Sequence, residues 1–522
     1  MIYEEQKNQE NGRPMGFLRS LISAYSAVPG HGLTGVNGKI AGALMAVNSI
    51  VDAVPLIHGP IGCAFQRKIN PFRPYLPFYE TPCTNMKDID VVYGGEDKLE
   101  TGIKETYKKY HPNLIVVIST CASDLIGCDF RSVIEKIRED VGCAVVYTTG
   151  DSVGKRMAVG HQDTLYSITD QLLCNNVEGT EKIDGAVNLI TYPIHGAGIK
   201  VAEMASILEE IGIMINKVCF NHTTIGDMRE LPNAELNITD HPMVWTTLME
   251  ERIGVAQYTI SAWDEFMKTR NLELLNRSGI EGSAKVFMEI AQRVNKEGEA
   301  EEVIERRKKD AIERLSKAKV GLEGKKVVGV DVIRGALGQM LLQDIGMKAS
   351  VFTFNTHGFE HRLTHAAVDE MIDMSIDLVR AYGSDPEILV NPTLEEEIKT
   401  IKRTGTDLVI SSGVNAHKYN KEGIKTFDSR DFMLFHQRIG FESSIELAWM
   451  LREALEKPVR KRNPLLCMLE YDRHRTNLTP HMSKLADIYS MVKGGAVVDE
   501  YMYDGVYITK LRSNGDEKRF YA

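Results

Sequence analysis

Unbroken aliphatic runs, each joined to a helical pattern, are the feature that most constrains this chain. Asn113-Leu-Ile-Val-Val-Ile-Ser-Thr follows a helical stretch from Asp97 to Tyr110, and Cys143-Ala-Val-Val-Tyr-Thr-Thr lies a short way on. Gly185-Ala-Val-Asn-Leu-Ile-Thr-Tyr leads through Gly196-Ala-Gly into a helix from Val201 to Ile211. Lys325-Lys-Val-Val-Gly-Val-Asp-Val leads into a helix from Ala336 to Ile345, then a strand from Lys348 to Phe354 and another at Thr406-Asp-Leu-Val-Ile-Ser-Ser-Gly. Strands that do not alternate apolar with polar are buried on both faces, as in parallel sheets. Strand–helix repetition of this kind predicts doubly wound α/β domains.

Between the second and third units, Val294 to Lys326 is dense in charge, with Ile304, Ala311, Ile312, Leu315 and Ala318 at helical spacing. This predicts an amphipathic helix crossing between domains. The end of the chain, from Gly494 to Ala522, carries short β-prone runs broken at Asp504-Gly505 and Ser513-Asn-Gly-Asp, which predicts a small antiparallel appendage. The expected organisation is a tail over 1–28, α/β domains over 29–184, 185–320 and 321–463, and an extension with a β-hairpin over 464–522.

The net charge of −10 argues against nucleic acid as a partner. No run approaches the roughly 20 apolar residues that span a bilayer, so no membrane is expected. The polar start MIYEEQKNQENGRP does not read as an export signal, which predicts the cytoplasm. Eight cysteines in 522 residues are too sparse for a disulfide scaffold, and in a reducing compartment they read first as metal or redox ligands.

Three blocks concentrate that chemistry: His58-Gly-Pro-Ile-Gly-Cys63, Thr81-Pro-Cys83, and Ser119-Thr-Cys121-Ala-Ser-Asp-Leu-Ile-Gly-Cys128-Asp. Cys121 follows a buried strand directly, at the carboxyl edge where open parallel sheets place ligands. Soft thiolates on irregular backbone suit iron–sulfur clusters. Spacing alone also allows buried structural thiols, and zinc fits less well because no CxxC is present. Gly32-Leu-Thr-Gly-Val-Asn-Gly38-Lys39-Ile40 approximates a phosphate loop, but the spacing is wrong and Ile40 stands where a magnesium-binding hydroxyl is needed.

The blocks HGPIGC, VVYGGEDKLETGI (Val91 to Ile103) and STCASDLIGCD resemble the N-terminal cluster region of the nitrogenase component 1 family, which includes catalytic subunits, cofactor-assembly scaffolds and other nitrogenase-like reductases. Weaker matches follow in order, among them Asp227-Met-Arg-Glu-Leu-Pro-Asn-Ala-Glu-Leu-Asn and Arg438-Ile-Gly-Phe-Glu, so the resemblance runs from about Pro29 to Leu455. It implies three Rossmann-like doubly wound domains around a central cavity. It implies a P-cluster-like or 4Fe-4S iron–sulfur cluster held by Cys63, Cys83 and Cys121 and shared with a sister subunit, in a homodimer or heterotetramer. It also implies a separate ATP-dependent iron-protein reductase as electron donor; Cys128 lies beyond the ligand position.

Catalytic members anchor a second metallocluster through one cysteine and one histidine. The cysteine position, just after Leu236-Asn237, reads Ile-Thr-Asp240-His241 here, so His241 is a candidate nitrogen ligand or a residue preceding a helix. Cys219 falls too early to match. Val159-Gly160-His161 resembles a Gly-His pair at the substrate face, which implies His161 as proton donor; a packed histidine is the plain alternative. The accompanying glutamine is replaced by Met157, which implies a different substrate. His357, first of three histidines in NTHGFEHRLTH, is the candidate for lining the cavity. Two functions remain: a reductase subunit, or a scaffold on which a metallocluster is matured.

Overall fold

The computed structural model describes residues 38–64, 81–150, 157–174, 181–191, 197–219, 223–261, parts of 265–277, 278–330, 338–354, 365–411, 413–429, 432 and 438–459, and the backbone of 497–503, 506–513 and 516–521. The chain divides into two compact units, Met1–Asp310 with Arg438–Phe441, and Ala311–Gln437 with Glu442–Ala522.

The first unit opens with α1 (Lys39–Asn48), β1 (Ala53–His58), α2 (Asp88–Tyr93), α3 (Glu96–Tyr110), β2 (Leu114–Ser119), α4 (Cys121–Leu125), α5 (Phe130–Ile137), β3 (Ala144–Thr148) and α6 (Met157–Ile168). β1, β2 and β3 pair in parallel in that order. β2 explains its own sequence. Leu114, Val116 and Ile118 face a core shared with α1 and α6, whereas Ile115 and Val117 face Leu99, Ile103, Phe130 and Ile137 of α3 and α5. With both faces covered, the run from Leu114 to Ile118 is wholly apolar, and each buried aliphatic side chain contributes about 1.5–3 kcal/mol.

A second sheet follows, with β4 (Val187–Ile190), α7 (Ala197–Ile211), β5 (Ile215–Cys219), α8 (Ile225–Glu230), β6 (Leu236–Thr239), α9 (Val244–Ile253) and β7 (Ala256–Thr259). Its parallel order is β5-β4-β6-β7, so the winding reverses between β4 and β6. Three asparagines run across it. Asn216 Nδ2 donates to Asn188 Oδ1 at 2.8 Å, and Asn188 Nδ2 donates to Asn237 Oδ1 at 2.8 Å and to the Leu231 carbonyl at 2.9 Å. A slip by one residue would strand these buried amides in apolar surroundings, so the ladder fixes register. Asp52, just before β1, ties the two sheets' segments together: its carboxylate accepts from Asn113 Nδ2 and from the Ile225 amide, both at 2.9 Å.

Helices α10 (Gly279–Arg293) and α11 (Glu297–Ala318) come next. α11 fulfils the amphipathic expectation through Ile304, Ala311, Leu315 and Ala318, which are buried. Ile312 departs from it, at 50% exposure. One residue beyond Ala311, it is rotated about 100° around the helix, onto the charged side.

The second unit holds β8 (Lys326–Val330), α12 (Gln339–Ile345), β9 (Lys348–Phe354), α13 (His365–Ala381), β10 (Glu387–Val390), α14 (Leu394–Thr404), β11 (Leu408–Ser411), α15 (Gly413–Lys421), β12 (Thr426–Asp428) and α16 (Glu442–Glu456). The parallel order β10-β9-β8-β11-β12 is that of a dinucleotide-type doubly wound sheet, with its reversal between β8 and β11. An antiparallel meander follows, β13 (Val497–Tyr503), β14 (Val506–Ser513) and β15 (Asp516–Tyr521), as the β-prone runs predict; the turn dipeptides read from the sequence lie outside the described residues.

One helix pair positions much of the first unit. α1 and α6 cross in backbone contact, because a Cβ at Gly42 would collide with the Met157 carbonyl and one at Gly160 with the Lys39 carbonyl. Lys39, 2% exposed, pairs across this contact with Asp163, Nζ to Oδ2 2.6 Å, and donates to the Thr149 hydroxyl. The phosphate-loop-like lysine is therefore engaged inside the fold. Gly42→Ala is expected to force the helices apart at a cost of about 1–3 kcal/mol, the usual penalty of overpacking. Urea denaturation of the purified chain measures it, and an unchanged midpoint would contradict the backbone contact.

Candidate metal centre

The carboxyl ends of β1 and β2 emerge side by side because the strands are parallel and in register, His58 opposite Ser119. Beyond β1 the chain turns through Gly59 and Pro60, and the Cys63 amide donates to the Pro60 carbonyl at 3.0 Å. The segment carrying Cys83 lies along the end of β1 as an irregular extra strand. Ile57 N donates to Pro82 O at 2.9 Å, Thr84 N to Ile57 O at 3.0 Å, and Met86 N to Gly59 O at 2.9 Å. Cys83 Sγ lies 3.2 Å from the Gly59 carbonyl, to which it donates, and 3.7 Å from that of Pro60. Cys121 opens α4 directly after β2, behind the N-cap Thr120, whose side chain accepts from the Ser123 amide. The Thr120 and Ser123 hydroxyls both donate to the His58 carbonyl, at 3.1 and 3.0 Å.

Each of the three cysteine-bearing segments is thus bonded to the His58–Pro60 turn. Cys63, Cys83 and Cys121 are half-buried thiols, and none forms a disulfide. A Cβ built on Gly62, beside Cys63, meets no atom within 4 Å, so this backbone borders open space. Three soft donors, each partly accessible, on irregular backbone beside such space match the donor chemistry of an iron–sulfur core. Among the described residues no three His, Cys, Asp or Glu side chains converge on one point suited to a single metal ion.

The remaining cysteines differ. Burial pushes the Cys128 thiol up to about 12, with the Glu96 carboxylate adding to the effect. Burial also pushes Cys143, just before β3, up to about 11. In the metal-free chain both therefore stay protonated at neutral pH and are poor nucleophiles. Cys219 ends β5 and is wholly buried.

His161 lies within α6 and is wholly buried, its backbone amide against Gly42. Asp240 and His241 follow β6, beside the point where the second sheet reverses its winding. The turn holding His241 is tied to α6, since the Val244 amide donates to Gln162 Oε1 at 3.2 Å. The structure therefore brings the segments carrying His161 and His241 together. His357 lies outside the described residues.

Sequence reasoning missed the part played by His58, which it quoted only as the first letter of a cysteine block. Its ring is wholly buried, with Nδ1 3.0 Å from Thr84 Oγ1 and Nε2 3.4 Å from Cys128 Sγ. Burial pushes its pKa down to about 4, against partial opposition from Glu96 and Asp90. In the unfolded chain the ring protonates near 6.5. The unfolded state therefore takes up a proton first as pH falls, and stability is lost between about 6.5 and about 4. The expected loss from this group is about 3 kcal/mol across that window. Urea unfolding at pH 7.5 and pH 4.5 measures it, and His58→Gln is expected to remove that part of the pH dependence.

A family pattern described as nitrogenase component 1 type oxidoreductase matches residues 39–456. The nitrogenase molybdenum-iron protein alpha chain of Methanosarcina barkeri is 28% identical over 375 residues, 67% of this chain and 66% of that one. The chain thus spans just under two thirds of that relative's length. The nitrogenase iron-molybdenum cofactor biosynthesis protein NifE of Nostoc sp. is 24% identical over 477 residues, 88% of this chain and 90% of that one. A solved structure titled "Nitrogenase Cp1 at pH 5" superposes with a TM-score of 0.56 at 19% identity, covering 80% of this chain and 88% of its own, which establishes likeness of fold. The pattern spans both units and includes all three cysteine segments: the chain belongs to the nitrogenase component 1 type oxidoreductases.

Proposed function

We propose that this chain is a redox subunit that holds an iron–sulfur cluster through Cys63, Cys83 and Cys121, shares it with a sister subunit, and receives electrons from an ATP-dependent iron-protein reductase. The observation that carries this reading is that three segments, each bearing a half-buried cysteine, are hydrogen-bonded to the His58–Pro60 turn at one sheet edge. A cluster held there accepts and passes electrons singly. The chain's own residues fix the thiol-bearing backbone: the His58 carbonyl gathers the Thr120 and Ser123 hydroxyls, and the Asn85 amide lies 3.5 Å from Cys83 Sγ, placed to donate to a thiolate.

Apolar side chains left in water on the cysteine-bearing segments support a docking partner. α2 buries none of its residues, with Val92 and Tyr93 73% and 82% exposed, and Leu125 at the end of α4 is 87% exposed. Exposed aliphatic and aromatic groups on segments adjoining a redox centre suit a protein surface that must approach it. At the substrate end, His161 is our candidate proton donor, with His241 and His357 as candidate ligands or lining groups for a second metallocluster.

A second reading is a scaffold on which a metallocluster is matured and released. Asp240-His241 in place of a cysteine anchor, with the long match to NifE, favours it. Repeated substrate reduction by the reductase-coupled protein separates the two, since a scaffold transfers its cluster without turnover.

Cys63→Ala and Cys121→Ala are each expected to remove most of the iron and visible absorbance from anaerobically purified protein, with Cys174→Ala retaining both. Wild-type iron content in the first two would defeat the ligand assignment. Tyr93→Asp is expected to keep the iron and to lose reductase-driven electron transfer by at least about tenfold, since hot-spot aromatics commonly contribute that much or more to docking. Transfer at the wild-type rate would remove α2 from the docking face.

A further inference from the structure

The three sequence blocks that carry the cysteines and glycines also deliver contacts to one buried imidazole that is not itself placed as a ligand. Thr84, next to Cys83, meets Nδ1 of His58 with its hydroxyl, which also accepts from the Gly59 amide at 3.1 Å. Cys128, at the end of the Cys121 block, meets Nε2. Gly95 lies over the ring: a Cβ there would stand 2.8 Å from Nε2, so the second glycine of VVYGGED clears room for it. Phe130 packs edge-on, ring centroids 5.4 Å apart. The His58 carbonyl takes the Thr120 and Ser123 hydroxyls on the Cys121 side.

We propose that His58 is the positioning residue of the candidate metal centre, holding the three cysteine-bearing segments at the spacing a shared cluster requires. The inference rests on the cluster reading above. A histidine is suited to the task because a planar ring offers polar atoms on two sides, one able to donate while the other accepts. Nδ1 engages the Cys83 segment, Nε2 engages the Cys121 block, and the backbone between them turns toward Cys63. In the metal-free chain the link that sets thiol placement is the one through Nδ1, because Thr84 also holds Gly59, whose carbonyl accepts from the protonated Cys83 thiol.

Two substitutions test this in the full-length chain, purified without oxygen. His58→Phe fills the same space without ring nitrogens; His58→Asn places an amide near the position of Nδ1. Two quantities are read: iron per chain, and iodoacetamide labelling of each cysteine in metal-free protein, with Cys174 as internal reference. In His58→Phe, iron is expected to fall below half of wild type. Labelling of Cys83 relative to Cys174 is expected to rise about tenfold, roughly the effect of losing one buried hydrogen bond. In His58→Asn both are expected to return toward wild type. A purely structural role would lower thermal stability in both variants without this selective change at Cys83. Should His58→Phe not fold, Thr84→Val removes the same link and carries the same expectation. Wild-type labelling in the variant that lacks the Nδ1 link would overturn the proposal. A wild-type chain without iron would overturn the cluster reading, and the labelling would still decide whether His58 places the thiols.

Discussion

The parallel pairing of β1 with β2 is the constraint on which everything at the candidate centre depends. Parallel strands send their carboxyl ends to the same edge, so the turn after His58 and the helix beginning at Cys121 emerge as neighbours although more than sixty positions apart. An antiparallel pair would place them at opposite ends. Burial on both faces secures this arrangement, since β2 has no exposed side on which a register shift could be tolerated. The cost of gathering three distant segments is conformational entropy, and it is offset in two cores whose residues come from alternate positions of the same strand.

Hydrogen bonding then does what packing cannot. Apolar contacts are non-directional and tolerate small shifts, whereas the hydroxyls of Thr120 and Ser123 and the thiol of Cys83 meet particular carbonyls of the His58–Pro60 turn. The pairing of the buried Lys39 with the part-exposed Asp163 follows a similar logic where α1 meets α6. A charge taken out of water is tolerated only when matched, so the pair specifies how α1 lies on α6 more than it adds to stability. The close approach permitted by Gly42 and Gly160 makes that match reachable for one lysine side chain.

Much of this was legible in the sequence, for identifiable reasons. β2, β3, β4, β8, β9 and β11 are legible because strands covered on both faces are dominated by apolar residues, and the final meander because its β-prone runs are broken by glycine-containing dipeptides. β5, β6, β7, β10 and β12 were not singled out: they are short, and Asn216, Lys217, Asn237 and Gln257 interrupt the apolar pattern. The three cysteine blocks stand out because thiols on irregular backbone, with glycine beside Cys63 and a buried strand before Cys121, are chemically distinctive. The roles of His58, Thr84 and Asp52 are hidden, since each acts through partners 25 or more positions away and hydrogen bonding leaves no periodic trace. Ile312 shows the reverse error, an apolar residue at roughly helical spacing that faces solvent.

α2 follows the Cys83 segment within five residues. This six-residue helix buries none of its side chains and is fixed by its ends: an amide–carboxylate bond between Lys87 and Asp90 at its start and a glycine in an extended left-handed conformation at its finish. So short a helix has little intrinsic stability in water. A protein that covers Val92 and Tyr93 therefore supplies the burial this helix lacks within its own fold. The helix is formed without such cover, so a partner's contribution would be to firm a face that already stands beside the Cys83 segment.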